Sequence, residues 1–204
     1  MTTFRLDLDV ASAGSTGTRL HVGYALRDTR VAALVARDGA PVEMLTLDVG
    51  RWQDELESRL RVPGPADPPR APARVLELPW DLLVGTGAAL VRRRHDVYDE
   101  LVARDAGSVR AVGTVLDLTG THEQLRRVHH GVLARLQAVG YGSGRGRPRI
   151  GWTSWLLFGD GWRELTPYAG RLPGGGRRAM VRVEPRCPAD LAAQVARWAV
   201  EVRT

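Results

Sequence analysis

Lysine is absent from this chain. All 29 basic side chains are arginine, set against 23 Asp and Glu, for a formal charge of +6 over 204 residues. A GC-rich genome accounts for the arginine bias more cheaply than function does. The functional reading of the basic surplus is an anionic partner, nucleic acid or an acidic protein surface, met through bidentate guanidinium contacts. The arginines are interleaved with Asp7, Asp9, Asp28, Asp38, Asp54, Glu55 and Glu57, and no nucleic-acid motif accompanies them. Cysteine is nearly absent as well. With Cys187 alone, an internal disulfide and a cysteine metal cluster are both excluded, which agrees with a reducing compartment. No apolar run reaches the roughly 18 to 20 residues needed to cross a bilayer, and Asp7 and Asp9 stand where a signal peptide would be basic and then apolar. The expected location is the cytoplasm.

Catalytic signatures are missing too. No serine sits in a GxSxG elbow. His122, Glu123, His129 and His130 lack both HExxH spacing and a histidine pair four apart, so no metal site is expected. The Gly142-Ser143-Gly144-Arg145-Gly146 run has the glycines of a phosphate cradle but leads into a strand, and no lysine follows it. Cys187 between Arg186 and Pro188 is a common setting for a thiol. Asp160 with Asp117 or Glu164 would make a carboxylate pair, yet nothing in the sequence brings them together. The expectation is a protein without catalysis, cofactor or metal.

What is present is an α+β pattern, and 44% hydrophobic content is ample for a core. Phe4, Leu6, Leu8 and Val10 alternate with charged residues, and Leu20, Val22, Tyr24 and Leu26 repeat the period of two. Arg27-Asp28 turns the chain into a run over 31–35, and Asp38-Gly39 turns it again toward Val42 and Met44. A helix is expected over 50–61, with Trp52, Leu56 and Leu60 inward. Residues 63–72 hold five prolines and read as an extended linker. Beyond Pro79-Trp80-Asp81 a helix interrupted near Gly85 and Gly87 is expected to run to Arg104, with Arg92, Arg93 and Arg94 in its middle as a solvated face or a basic patch. Residues 108–118 are open between a helix, whose stripe Val109, Val112, Val115 and Leu116 fit, and a short strand, which Val and Thr favour, with helix the preferred reading. Thr121 with Gln124 makes a capping box for a helix buried through Val139.

The last stretch, 149–204, reads as a curled antiparallel sheet closed by a helix. Gly159-Asp160-Gly161 separates two aromatic-rich strands, a third runs over 179–183, and Pro188-Ala189-Asp190 opens a helix carrying Leu191, Val195, Trp198, Ala199 and Val202. Residues 1–62 show the same order of strands, closing acid and Trp-bearing helix. The expectation is therefore a single domain over 1–204 of two pseudo-symmetric halves, each an antiparallel sheet with packed helices, joined through the 63–72 linker and a helical segment over 79–140.

Several of these stretches carry a resemblance to a known family: residues 31–39 with Pro63-Gly64, Gly142-Ser143-Gly144 through Trp152-Thr153-Ser154-Trp155, Gly161-Trp162, Val183-Glu184-Pro185 and Pro188-Ala189-Asp190-Leu191. In this layout the chain resembles the EspG family, cytosolic chaperones of the ESX (type VII) secretion systems of actinobacteria. The turn Arg27-Asp28-Thr29 is shorter than the family's loop at that place. The resemblance implies a chaperone or adaptor that binds a helical secreted substrate, PE/PPE- or WXG100-like, by protein–protein contact. Candidate contacts are Arg27, Asp28 and Arg30 at the strand turn and Trp152, Trp155 and Trp162 on the terminal sheet, each Trp serving otherwise as core. The rival readings are a basic nucleic-acid-binding protein and a small enzyme.

Overall fold

The computed structural model of the protein describes residues 4–12, 19–61, 68–142, 149–171 and 176–201. The loop expected at 11–17, the proline-rich linker and the Gly-rich run therefore fall partly outside the described residues. In chain order the elements are β1 (Phe4–Ser12), β2 (Arg19–Arg27), β3 (Arg30–Arg37), β4 (Glu43–Asp48), α1 (Val49–Arg59), β5 (Leu76–Pro79), α2 (Trp80–Val91), α3 (His95–Asp105) and a 3-10 turn (Ala106–Ser108). They continue with β6 (Arg110–Ala111), β7 (Thr114–Val115), α4 (Leu118–His130), β8 (Ala134–Tyr141), β9 (Arg149–Phe158), β10 (Gly161–Arg171), β11 (Arg177–Arg186) and α5 (Pro188–Glu201). The class is α+β with antiparallel pairing. The chain forms two compact units: Met1–Pro65 with Leu133–Leu157 and Arg186–Thr204, and Ala66–Val132 with Phe158–Pro185.

The first unit is a sheet in the order β4-β3-β2-β1-β8-β9. Alternation along β1 and β2 sends Phe4, Leu6, Leu8, Val22, Tyr24 and Leu26 to one buried face, and register pairs Leu6 with Tyr24 and Leu8 with Val22. Helix α1 lays Trp52, Leu56 and Leu60 on that face, as its spacing predicts. The Trp52 ring meets Phe4 edge-on at 6.2 Å and Tyr24 at 6.1 Å. Helix α5 reaches the same face over β8 and β9, where Gly140 and Gly151 are paired. A Cβ at Gly151 would lie 2.0 Å from Trp198 Cε2, so only glycine lets that indole down onto the strands.

The second unit has the strand order β10-β11-β5-β6-β7 and carries α2, α3 and α4. The second unit departs from the expected pattern of elements in several places. Helix α2 runs through Gly85 and Gly87 without interruption, because those glycines are sites of close approach: a Cβ at Gly85 would stand 3.0 Å from Leu101 Cδ1, and one at Gly87 3.1 Å from His129 Cε1. The break comes at the arginine triplet, where Arg93 takes a positive φ of 54° and Arg94 pairs with Asp96 at 2.7 Å. Residues 108–118 form the β6–β7 hairpin in place of a helix, turning at Val112 (φ 49°) and Gly113 (φ 83°).

The helix expected over 121–139 is α4, ending at His130, followed by strand β8. Its N-cap is Asp117, whose Oδ1 accepts from the Gly120 N–H at 2.7 Å, and Thr121 is buried one turn in. Leu133, Leu136 and Val139 satisfy a helical stripe on paper, but residues 134–141 alternate buried and exposed with period two and pair with β1.

Candidate partner-binding surface

One face of the first unit's sheet is taken by α1 and α5; the other carries its own alternating set. Directly paired residues in an antiparallel sheet point to the same side. The register therefore writes a row across six strands: Met44, Leu34, Gly23, Asp7, Val139 and Trp152. At the β4 end this row is open and apolar. Leu34 is 54% exposed and Met44, directly opposite, 75%; Val42 just before β4 is 65% exposed. The adjoining pairs Ala32–Thr46 and Ala25–Ala32 are small and exposed, which leaves the leucine and methionine standing above their neighbours. Toward β1 the face becomes polar, with Arg5 bonded to Asp7 and Arg19 to Asp9, both at 3.0 Å.

Three of the candidate contact residues lie at the end of the same strands. Arg27 and Arg30 are opposite each other, closing a turn in which Asp28 takes a φ of 54°, and all three are exposed. The Val49 N–H donates to Thr29 O at 2.9 Å, tying that turn to the start of α1. Arg30 also faces Asp48 across the β3–β4 pair. Trp152 is half-buried on the same sheet face as Leu34, with three strands between them. Trp155 points to the opposite face, fully buried against the core, with its Nε1–H donated to Thr153 Oγ1 at 2.9 Å. Trp162 belongs to the second unit and is buried as well. Neither of those two indoles presents a surface to a partner. The Leu34–Met44 pair escaped sequence reasoning because β3 reads as a continuous apolar run; only its register against β4 reveals which side each residue faces.

The groups that invited catalytic readings, Asp160 and the histidines in the second unit and Cys187 in the first, have local partners or settings. Asp160 accepts from the buried Arg163 guanidinium at 2.6 Å, and Arg163 also donates to the Ala73 carbonyl and lies 5.3 Å over the Phe158 ring. That carboxylate is a structural tie. His129 meets Thr86 Oγ1 at 2.8 Å, whereas His122 stands 4.0 Å from Asp99 and against Tyr98. Cys187 is exposed, with its N–H donated to Asp190 Oδ2 at 2.7 Å at the start of α5; that hydrogen bond holds the Asp190 carboxyl below its usual value. Among the described residues no three His, Cys, Asp or Glu side chains gather as a metal site would need, and no helix is long and apolar enough to cross a membrane.

No family profile and no curated protein matches this chain. Among solved structures, it is similar to that of the Mycobacterium tuberculosis type VII secretion system chaperone EspG5 in complex with the PE25–PPE41 dimer, with a TM-score of 0.45 at 10% identity over 96% of this chain and 71% of that one. The likeness is a weak one.

Proposed function

We propose that this chain, acting as one EspG-like domain over 1–204, is a noncatalytic cytoplasmic chaperone or adaptor that holds a helical substrate of a type VII secretion system, PE/PPE- or WXG100-like. The observation that carries the partner-binding reading is the Leu34–Met44 pair with Val42, exposed side by side at the edge of the first unit's sheet. Burying apolar surface of this kind contributes about 25 cal/mol per Å2. Arg27, Asp28 and Arg30 stand at the end of the same strands and supply charge at its rim, where charge sets orientation and encounter rate more than affinity. Trp152 extends the contact along the same face, while Trp155 and Trp162 hold the strands from within. An amphipathic helix laid across this face places its apolar stripe on Leu34 and Met44. The choice of a secreted helical substrate rests on the sequence resemblance.

The rival nucleic-acid reading asks for guanidiniums free to meet phosphates. Many here are already committed: Arg5 to Asp7, Arg19 to Asp9, Arg59 to Glu55, Arg94 to Asp96, Arg127 to Glu123, Arg178 to Asp81 and Asp105, and Arg182 to Glu77. Co-expression of the tagged chain with candidate substrates tests the proposal. A substrate should co-purify with the parent chain and be lost from the Leu34→Asp/Met44→Asp variant at unchanged thermal stability. Equal recovery by both would move the contact surface elsewhere.

A further inference from the structure

The second unit holds a cavity of about 420 Å3 whose lining is basic, and its origin can be followed from strand register. Arg182 on β11 is paired with Glu77 on β5, and Glu77 in turn with Arg110 on β6. The three side chains therefore emerge on one side of the sheet, a carboxylate between two guanidiniums. Glu77 Oε1 accepts from Arg182 Nε at 2.8 Å and from Nη2 at 2.6 Å, so this acid is engaged by one arginine. The same guanidinium lies 5.7 Å over the Tyr168 ring on β10, which fixes its plane. Arg171, three residues after Tyr168 at the end of β10, brings a third arginine to the lining.

The cavity is thus lined by three arginines against one glutamate, and that glutamate is spoken for. Arg110 and Arg171 have no ion pair or hydrogen bond among the described residues, and both are exposed at the cavity mouth. Ser108, half-buried in the 3-10 turn, and Tyr168 add hydroxyl donors. Burial first, and Glu77 second, push the Tyr168 phenol up, so it stays protonated. The floor is apolar: Met180 lies against Gly170, where a Cβ would come within 2.4 Å of Met180 Cγ. A space of this size falls in the range that holds small organic ligands. The first unit's cavity of about 440 Å3 is lined by four arginines, Arg19, Arg37, Arg59 and Arg61; there Arg19 and Arg59 are taken by Asp9 and Glu55, and Asp38 stands among the lining residues as a further carboxylate.

The geometry points to an oxyanion-binding site in which Arg110 and Arg171 grip a carboxylate or phosphate group between Ser108 and the Tyr168–Arg182 stack. Planar guanidinium forks match both groups bidentately. The source is either a small phosphorylated or carboxylated molecule or the acidic side chains of a bound polypeptide, and the experiment separates them.

Isothermal titration of the full chain at fixed ionic strength is carried out with three probes: inorganic pyrophosphate, tricarballylate and a hexaglutamate peptide. Saturable one-to-one binding of at least one probe is expected, weakened at least tenfold in Arg110→Ala/Arg171→Ala. Arg110→Lys/Arg171→Lys keeps the charge, loses the fork, and is expected to bind with an affinity between those of the parent and the double Ala variant. Binding of the peptide alone assigns the site to a polypeptide; binding of pyrophosphate or tricarballylate assigns it to a small ligand. Absence of saturable binding for all three probes, or equal affinity in the double Ala variant, overturns the assignment. Should the double variant fail to fold, Arg171→Gln at the exposed end of β10 carries the same expectation of weakened binding. The partner surface lies in the first unit and has its own assay, so either reading can fail while the other stands.

Discussion

Gly151 has no room for a side chain, since the Trp198 indole occupies the place where its Cβ would be. Gly151→Ala should therefore destabilise the first unit by about 1 to 3 kcal/mol, as overpacking of a filled core does. Denaturant unfolding measures the loss, and adding Trp198→Leu, which frees the space, should recover part of it. Val112 is the opposite case. It is 69% exposed at the hairpin tip and takes a φ of 49°, a region that suits Asn or Gly and penalises a β-branched residue. Val112→Asn should raise stability by about 1 kcal/mol, and an unchanged or lowered melting temperature would argue that the turn is held by something else. Residue roles that depend on spacing alone were legible in the sequence: Trp52, Leu56 and Leu60 are spaced for one buried helix face and occupy one. Trp152 and Trp155 lie three apart in one strand and so face opposite sides of the sheet; which of the two faces the helices cover is displayed only by the strand register.

The same limit governs whole elements. Strands β1 to β4 and helices α1 and α5 follow from period and turn chemistry, because each is decided locally. The sequence alone runs helix α4 on into strand β8, since Leu133, Leu136 and Val139 fall at helical spacing; pairing of β8 with β1, more than a hundred residues away, decides for strand. Long-range pairing also gathers Arg178 of β11 with Asp81 of α2 and Asp105 of α3, at 2.5 Å from each. Burial works to raise the Asp105 carboxyl, but hydrogen bonds from Arg178 and Arg104 outweigh it and hold the group below its ordinary value; Asp81 is lowered chiefly by its bond from Arg178. Carboxylates depressed on folding contribute stability that is complete above their unfolded value, about 3.9. That contribution is lost as pH falls through the folded values. Stability should thus be flat from neutrality to about pH 5 and decline below about pH 4. Arg178→Met should cost about 2 kcal/mol at pH 7 and move the acid transition to higher pH, because Asp105 then takes up its proton sooner. Superimposable acid-unfolding curves for the two proteins would remove this cluster from the account.

At the scale of the molecule, a surplus of arginine first suggests a polyanion partner, yet the fold spends many of these side chains on internal carboxylates. What remains open differs between the two units. In the first it is an apolar edge, Leu34, Met44 and Val42, beside the Arg27-Asp28-Arg30 turn; in the second it is a cavity whose Arg110 and Arg171 have no ion pair among the described residues. The apolar edge is the more telling of the two, since exposed large hydrophobics placed side by side mark a surface built to be covered. The most direct measurement is size-exclusion chromatography with light scattering on the chain co-expressed with a candidate helical secretion substrate. A stoichiometric complex that survives moderate salt, and that Leu34→Asp/Met44→Asp dissolves into a folded free chain, is the predicted result. A chain that elutes alone with every candidate, or one that carries nucleic acid until salt strips it, would contradict the account.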